Sequence, residues 1–178
     1  MTPQDVLTFW FVETSEEQWF TKDDAFDETL RRRFLAVYEE ALEGRTASWR
    51  STPEGRLAEI LVLDQFTRNM FRGSPRAFAA DEVALSLAHE AVANGDDLKL
   101  EPKRRRFVYM PYMHSESIEA HDEATKLFEN LGDESTIRYE RLHREIIERF
   151  GRYPHRNKAL GRTSTPEELE FLKTNPGF

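Results

Sequence analysis

The feature that most constrains the fold is the stretch Leu57 to Phe71, LAEILVLDQFTRNMF, a nearly continuous apolar run with charges in its middle. Wound as a helix, it carries apolar side chains on nearly every face, which is typical of a helix at the centre of a domain. Asp64 and Arg68 lie one helical turn apart within it, and a charge removed from water is costly unless it is paired. The sequence therefore predicts a central helix with a buried acid–base pair.

This pair has two interpretations that the sequence leaves open. Most paired buried charges tie a helix to its neighbours, which favours a structural role for Asp64 and Arg68. In the functional interpretation, Arg68 binds a ligand together with Asn69 and Arg72, which follow it closely in the chain. The structural interpretation of these two neighbours is hydrogen bonding in the turn that comes after them.

Length and composition predict one soluble helical domain over residues 1–178. Hydrophobic residues make up 39% of the chain and charged residues 33%, and thirteen Phe with three Trp can fill a core. The absence of cysteine excludes disulfides and thiolate chemistry. We expect no secretion signal, and no apolar run comes near the ~18 residues of a membrane helix, so we expect a cytoplasmic protein without a membrane partner.

Local signals predict a succession of helices and no strands. Hydroxyl side chains precede proline, the order typical of helix starts, at Thr2-Pro3, Thr52-Pro53, Ser74-Pro75 and Thr165-Pro166. Glycines that favour helix ends stand at Gly44, Gly73, Gly95, Gly132 and Gly151. Helical periodicity covers Thr2 to Phe11, Asp23 to Glu43, Asp81 to Asn94, Ser115 to Leu131 and Thr136 to Phe150. On the last of these we expect Tyr139, Leu142, Ile146 and Phe150 to face inward, and we expect Pro111 to kink or end a helix that opens at Pro102.

Charge is unevenly distributed along the chain. The net charge is −8, yet the segment Arg138 to Arg162 holds eight Lys or Arg against three Glu. A basic corner in an acidic protein favours a small anion as ligand and disfavours nucleic acid. Within it, the loop Arg149 to Arg162 contains Arg152, His155 and Arg156, which we predict as ligand-binding residues. The alternative is that these side chains bond helix-end carbonyls and dock the last helix.

A second chemical segment is Phe107 to Glu116, where apolar residues lead through a proline to His114 and Glu116. Polar groups beside a helix break often face a cleft, so these two residues are candidates for proton transfer. We expect the basic loop, this segment and the central helix to surround one pocket. His89 and His121 are expected at the surface.

A metal site is the sharpest chemical alternative. Imidazole and carboxylate ligands for zinc, manganese or iron could come from His114, Glu116 and His143, with His155. Their spacing does not match HExxH or Glu-x-x-His, and Ser115 lacks the G-x-S-x-G context of a nucleophile. The sequence thus leaves the cofactor open and indicates no known reaction.

Three long blocks carry a resemblance to a known family. They are LDQFTRNMFRGSPRAFAAD at 63–81, YMPYMHSES at 109–117 and HREIIERFGRYPHRNKALGRTSTPEE at 143–168, and together with the opening FWF they resemble the bacterial domain of unknown function 924. The resemblance implies an all-α, tetratricopeptide-like helical bundle or short α-solenoid and lends no reaction. The sequence itself has no self-similarity at the 34-residue period of such repeats.

Two classes of function therefore remain. The first is the binding or conversion of a small anionic metabolite in an arginine-rich pocket. The second is a helical scaffold that binds a peptide or protein partner on a concave surface, as solenoids commonly do. Polar residues converging in one pocket favour the first class, and exposed aromatic residues along a groove favour the second. The oligomeric state is open.

Overall fold

A computed structural model describes residues 1–175 and 177, and this part of the chain consists of helices and connecting segments without a strand. The helices are α1 (Pro3–Thr8), α2 (Glu16–Phe20), α3 (Asp24–Leu42), α4 (Pro53–Leu63), α5 (Gln65–Met70), α6 (Asp81–Ala93), α7 (Pro102–Met113), α8 (Ile118–Leu131), α9 (Glu134–Phe150), α10 (Asn157–Leu160) and α11 (Pro166–Leu172). The predicted all-α helical bundle is confirmed. Its likeness to tetratricopeptide repeats stays a prediction. No helix within the described residues has both the length and the hydropathy of a membrane span.

The chain forms two compact units. The first comprises Met1–Arg72 and Arg76–Pro111, and the second comprises Gly73–Pro75 and the chain from Tyr112 onward. Helix α7 begins in the first unit, and its last two residues belong to the second. The organisation as one domain over residues 1–178 stays a prediction.

Helix α4 lies at the centre of the first unit, where it contacts α1, α3, α5 and α6. Every residue from Gly55 to Leu63 is buried, which confirms the prediction of a central helix. Aromatic rings fill the space around it, since Phe66 lies 4.7 Å from Phe34 and 5.9 Å from Phe9 between ring centroids. Such clusters supply large apolar area to the core.

The predicted central helix is interrupted at Asp64, which separates α4 from α5. Side-chain donors explain the interruption. The Thr67 hydroxyl donates to the Asp64 carbonyl at 2.8 Å, and an Arg68 guanidinium nitrogen donates to the same oxygen at 3.2 Å. Local side-chain bonds of this kind compete with the backbone ladder of a helix. The prediction of one helix through Phe71 was therefore wrong at this point.

Most of the predicted helix starts are confirmed. The hydroxyls of Thr2, Thr52 and Thr165 each accept a hydrogen bond from a backbone N–H in the first turn. Ser74-Pro75 opens only the short 3-10 turn Pro75–Ala77. Helix α7 runs through Pro111 and ends two residues later, so this proline does not break the helix, and a kink at Pro111 stays a prediction.

In the second unit, α8 packs along α9. The predicted inward face of α9 was partly wrong, because Tyr139 is 55% exposed and Leu142 is 38% exposed. The buried face carries Thr136, Glu140, His143, Ile146 and Ile147. Periodicity selects apolar residues, so it misses a helix whose buried face includes an acid and a histidine.

Candidate functional site

Arg68 has a stronger partner than the sequence suggested. Its guanidinium group donates to both carboxylate oxygens of Asp81, at 2.7 and 3.0 Å. Asp64 lies 3.5 Å from Arg68 and is fully buried, and its other carboxylate oxygen accepts a hydrogen bond from Gln65 at 2.6 Å. The arrangement is a charge network that joins α5 to the start of α6.

Asn69 and Arg72 converge on Asp27, a buried residue of α3. The Arg72 guanidinium donates to the two Asp27 oxygens at 2.7 and 3.0 Å, and the Asn69 amide donates at 2.9 Å. The buried carboxylate is thus satisfied by side chains of the central segment, as buried charges require. These contacts agree with the structural interpretation of both residues, although their partner is α3 and not the following turn.

Glu116 is held by the basic loop. Arg162 donates to both of its carboxylate oxygens, at 2.7 and 2.9 Å, and the Tyr153 backbone N–H donates at 2.8 Å. Burial alone raises the pKa of Glu116, but these hydrogen bonds outweigh it and leave the pKa below its usual range. A carboxyl stabilised as the anion is poorly suited to the proton transfer that we expected of it.

The predicted ligand-binding arginines of the loop are also engaged. Arg152 donates to both oxygens of Glu168 on α11, at 2.7 and 2.9 Å, and this hydrogen bonding is the main reason that the pKa of Glu168 falls to about 2. Arg156 donates to the His114 carbonyl at 2.8 Å and lies over the Tyr153 ring. The loop and the His114 segment therefore meet, as expected. Their contacts match the alternative in which the loop bonds carbonyls and docks the last helix.

His121 is fully buried and belongs to a polar chain, so its predicted surface position was wrong. Its Nδ1 lies 2.7 Å from Glu140 Oε1, and its Nε2 lies 3.0 Å from the Ser115 carbonyl and 3.1 Å from the Tyr153 hydroxyl. That hydroxyl donates to the Met113 carbonyl at 2.6 Å. Burial raises the pKa of Glu140, and the hydrogen bond with His121 offsets part of the rise.

Further histidines surround the same tyrosine. The rings of His143 and His155 lie 5.8 and 5.5 Å from Tyr153, and His114 lies 6.4 Å from His143. Burial lowers the pKa of His143 to about 3 and that of His155 to about 4. Both rings are therefore neutral near pH 7, and the Nδ1 of His143 bonds the Tyr139 carbonyl at 2.8 Å.

The clustered histidines do not form a metal site. Within residues 1–175 and 177, no three His, Asp or Glu side chains are arranged to hold a metal ion. Both oxygens of Glu116 are directed to Arg162. The set His114, Glu116 and His143 thus lacks the convergent geometry of a metal centre.

A cleft of about 470 Å³ opens between α8 and α9. Its lining combines Phe128 and Ile137 with the polar residues Asp122, Thr125, Lys126, Glu129, Glu140, Arg141 and Arg144. None of these polar residues was predicted as a site residue. The helical spacing in the sequence could have indicated part of this site. Glu140 and His143 lie on the same face of α9 as Thr136 and Ile147, so a carboxyl and an imidazole belong to its buried face.

The cationic residues that line the cleft differ in whether they form ion pairs. Arg144 is bound by Asp122 and by Glu148, each at 2.7 Å. Lys126 and Arg141 make no ion pair with any residue that the structure describes. Glu140 also lines the cleft and is 2% exposed, and its Oε2 has no hydrogen-bond partner in the described part of the chain.

Comparisons with known proteins relate the chain to one bacterial family. A family model described as bacterial protein of unknown function (DUF924) matches residues 6–176. The chain is similar to a solved protein of unknown function, ATU0120 from Agrobacterium tumefaciens, with 38% identity over 97% of each chain and a TM-score of 0.92. No curated protein matches it. The chain therefore belongs to the bacterial family of unknown function DUF924.

Proposed function

We propose that the protein binds a small anionic molecule in the α8–α9 cleft. The observation that carries this proposal is the pair of cations at the cleft, Lys126 and Arg141, which no described residue engages in an ion pair. Arginine offers a planar set of donors suited to carboxylate or phosphate, and lysine adds a mobile positive charge.

The size and lining of the cleft support a small ligand. Its volume of about 470 Å³ lies within the ~300–1,000 Å³ typical of small-molecule sites. Phe128 and Ile137 provide apolar contact area, so a short carbon skeleton can pack between the charged groups.

The charge distribution favours a small anion over a polyanion. Asp122 is neutralised by Arg144, whereas Glu129 also lines the cleft and has no ion-pair partner among the described residues. Positive charge is thus confined to the neighbourhood of Lys126 and Arg141. A nucleic acid requires a longer basic surface.

The engagement of the other arginines supports the cleft as the binding site. Arg68, Arg72 and Arg152 each donate two hydrogen bonds to a carboxylate. An anion at any of these positions would have to displace an existing bidentate partner, which is unfavourable in a partly buried setting.

Isothermal titration with succinate and inorganic phosphate tests the proposal. Lys126→Ala and Arg141→Ala should each weaken binding by about tenfold, because a hydrogen bond to a charged group contributes about 1.5 kcal/mol. Lys158→Ala and Arg138→Ala are matched controls, since both side chains are exposed, lie in the same unit and do not line the cleft. Equal effects of the two sets of substitutions would contradict a specific site.

The scaffold alternative depends on a different surface of the first unit. Val12 is 75% exposed and Phe20 is 63% exposed, and the Arg106 guanidinium lies 5.4 Å from the Phe20 ring. An exposed aromatic ring beside a cation suits an acidic, aromatic peptide. A peptide array compared between the wild type and Phe20→Asp tests this alternative, and an array without binding would contradict it.

A further inference from the structure

We infer that the ligand of the cleft carries an N–H or O–H donor beside its anionic group, and that Glu140 Oε2 accepts the hydrogen bond from this donor. The inference rests on the proposed function and adds a chemical class to it. The ligand is then a small hydroxy or amino acid, or a comparable anion with a donor close to the charge.

The Nε2 atom of His121 must carry a hydrogen. It lies 3.0 Å from the Ser115 carbonyl and 3.1 Å from the Tyr153 hydroxyl. The hydroxyl already donates its one hydrogen to the Met113 carbonyl at 2.6 Å, and a carbonyl only accepts. Nε2 therefore faces two acceptors, and only a protonated Nε2 satisfies this arrangement.

The hydrogen between His121 and Glu140 can be bonded to either residue. The distance of 2.7 Å between Nδ1 and Oε1 requires one hydrogen in this contact. It belongs either to a neutral carboxyl that donates to Nδ1 or to an imidazolium that donates to a carboxylate. In both arrangements the pair is neutral as a whole, and Oε2 of Glu140 carries no hydrogen. Oε2 is thus an acceptor in either state.

No described side chain supplies a donor to this acceptor. Oε2 is buried and has no hydrogen-bond partner. Among the lining residues, Thr125 uses its hydroxyl hydrogen on the His121 carbonyl at 2.9 Å, and Phe128 and Ile137 have no polar side-chain group. The positive charge of Arg144 also acts on Glu140, but its guanidinium is engaged by Asp122 and Glu148. Buried polar groups in native proteins are almost always satisfied, so an orphan acceptor on a residue that lines a cleft points to a donor that the described protein groups do not supply.

The donor has to enter the buried side of the cleft. Glu140 lines the cleft, yet Oε2 itself is enclosed, so a ligand reaches it only when lining side chains shift. Such rotamer changes are common when proteins bind small partners. An apolar ligand group at this position would leave Oε2 unsatisfied, and this penalty is the physical basis of selectivity for ligands with a donor.

The experiment compares L-malate and D-malate with succinate by isothermal titration. Malate and succinate carry the same two carboxylates and differ by one hydroxyl, so their affinity ratio isolates the donor. We expect at least one malate enantiomer to bind the wild type about tenfold more tightly than succinate does. The same affinity ratio should persist in Arg141→Ala, because this substitution weakens the binding of the carboxylates that all three probes share.

Two substitutions of Glu140 assign the preference to its carboxyl group. Glu140→Gln can direct its amide N–H to His121 Nδ1 and its carbonyl oxygen to the position of Oε2, so the malate preference should remain. Glu140→Met replaces the carboxyl by an apolar group of similar length, and the ratio should fall to about one. Glu129→Gln is the matched control, because this residue lines the same cleft and its carboxylate is exposed.

The outcomes separate this inference from the proposed function. Equal binding of malate and succinate to the wild type, weakened by Lys126→Ala, would overturn the donor inference and leave the anion site intact. Absence of binding by all three probes would overturn both. A malate preference that Glu140→Met retains would assign the donor contact to another residue and overturn the role of Glu140. If Glu140→Met does not fold, the wild-type affinity ratio still decides whether the ligand carries a donor, and the same ratio in Glu140→Leu decides whether Glu140 accepts the hydrogen bond.

Discussion

Replacing Arg68 by alanine removes the cation of the charge network in the first unit. The substitution deletes two hydrogen bonds to Asp81, one to the Ala77 carbonyl and one to the Asp64 carbonyl. It also leaves the Asp64 carboxylate buried without the Arg68 charge, with a hydrogen bond from the Gln65 side chain. Loss of one partner from a buried ion pair is strongly destabilising because the remaining charge stays desolvated.

The expected loss is about 3 kcal/mol, at the lower end of the range for a buried pair, since the Arg68 side chain is 21% exposed. With a urea dependence of about 2 kcal/mol per molar, the unfolding midpoint should fall by about 1.5 M. The midpoint is measured by far-ultraviolet circular dichroism. Adding Asp64→Asn to Arg68→Ala should recover part of this loss, because the amide leaves no stranded charge.

Arg32→Ala is the matched control on the same unit. Arg32 is exposed on α3 and makes no ion pair with the described residues, so its replacement should change stability by less than about 0.5 kcal/mol. If Arg68→Ala shifts the midpoint no more than Arg32→Ala does, the charge network does not stabilise the fold, and the structural interpretation of Asp64 and Arg68 is refuted.

Three further predictions concern the second unit. Gly132→Ala should destabilise by about 1 to 2 kcal/mol in urea unfolding, because Gly132 ends α8 at a φ of 77° and alanine is strained there; no change would refute this cause. Because the pKa of Glu168 is lowered from 4.5 to about 2, its contribution is present above pH 4.5 and lost as the pH falls to about 2. Glu168→Gln should flatten the stability profile in that window, and an unchanged profile would contradict the Arg152 pair. The pKa of His143 is lowered from 6.5 to about 3, so protonation of the unfolded chain reduces stability as the pH falls from 6.5 toward 3. His143→Gln should remove this slope, and its persistence would show that other groups cause it.

Much of the fold follows from local chemistry that a sequence displays directly. The order of Thr165 and Pro166 predicts a helix start because a hydroxyl cap and a missing N–H act within one turn. The same locality explains why the buried run Leu57 to Leu63 could be assigned to the core. The interruption at Asp64 could not be predicted, because it depends on the side chains of Thr67 and Arg68 donating to the Asp64 carbonyl in competition with the backbone ladder of the helix.

The candidate site was harder to predict because it depends on tertiary pairing. Arg152 and Arg156 look like anion ligands in a sequence, but Glu168 and the His114 carbonyl engage them only once the chain is folded. Lys126 resembles any surface lysine until the packing of α8 on α9 forms a cleft beside it. The type of a residue indicates which ligand it can bind. Only the folded structure shows which of these residues keep a charge or a hydrogen-bonding group that no other residue engages.

The most direct test of the proposed anion site is an amide chemical-shift titration of the ¹⁵N-labelled protein with L-malate. We expect saturable shifts concentrated on α8 and α9 around Lys126, Glu140 and Arg141, with little change around Arg152 and Arg156. Shifts concentrated on the loop from Arg149 to Arg162, with α8 and α9 unaffected, would contradict the proposed anion site.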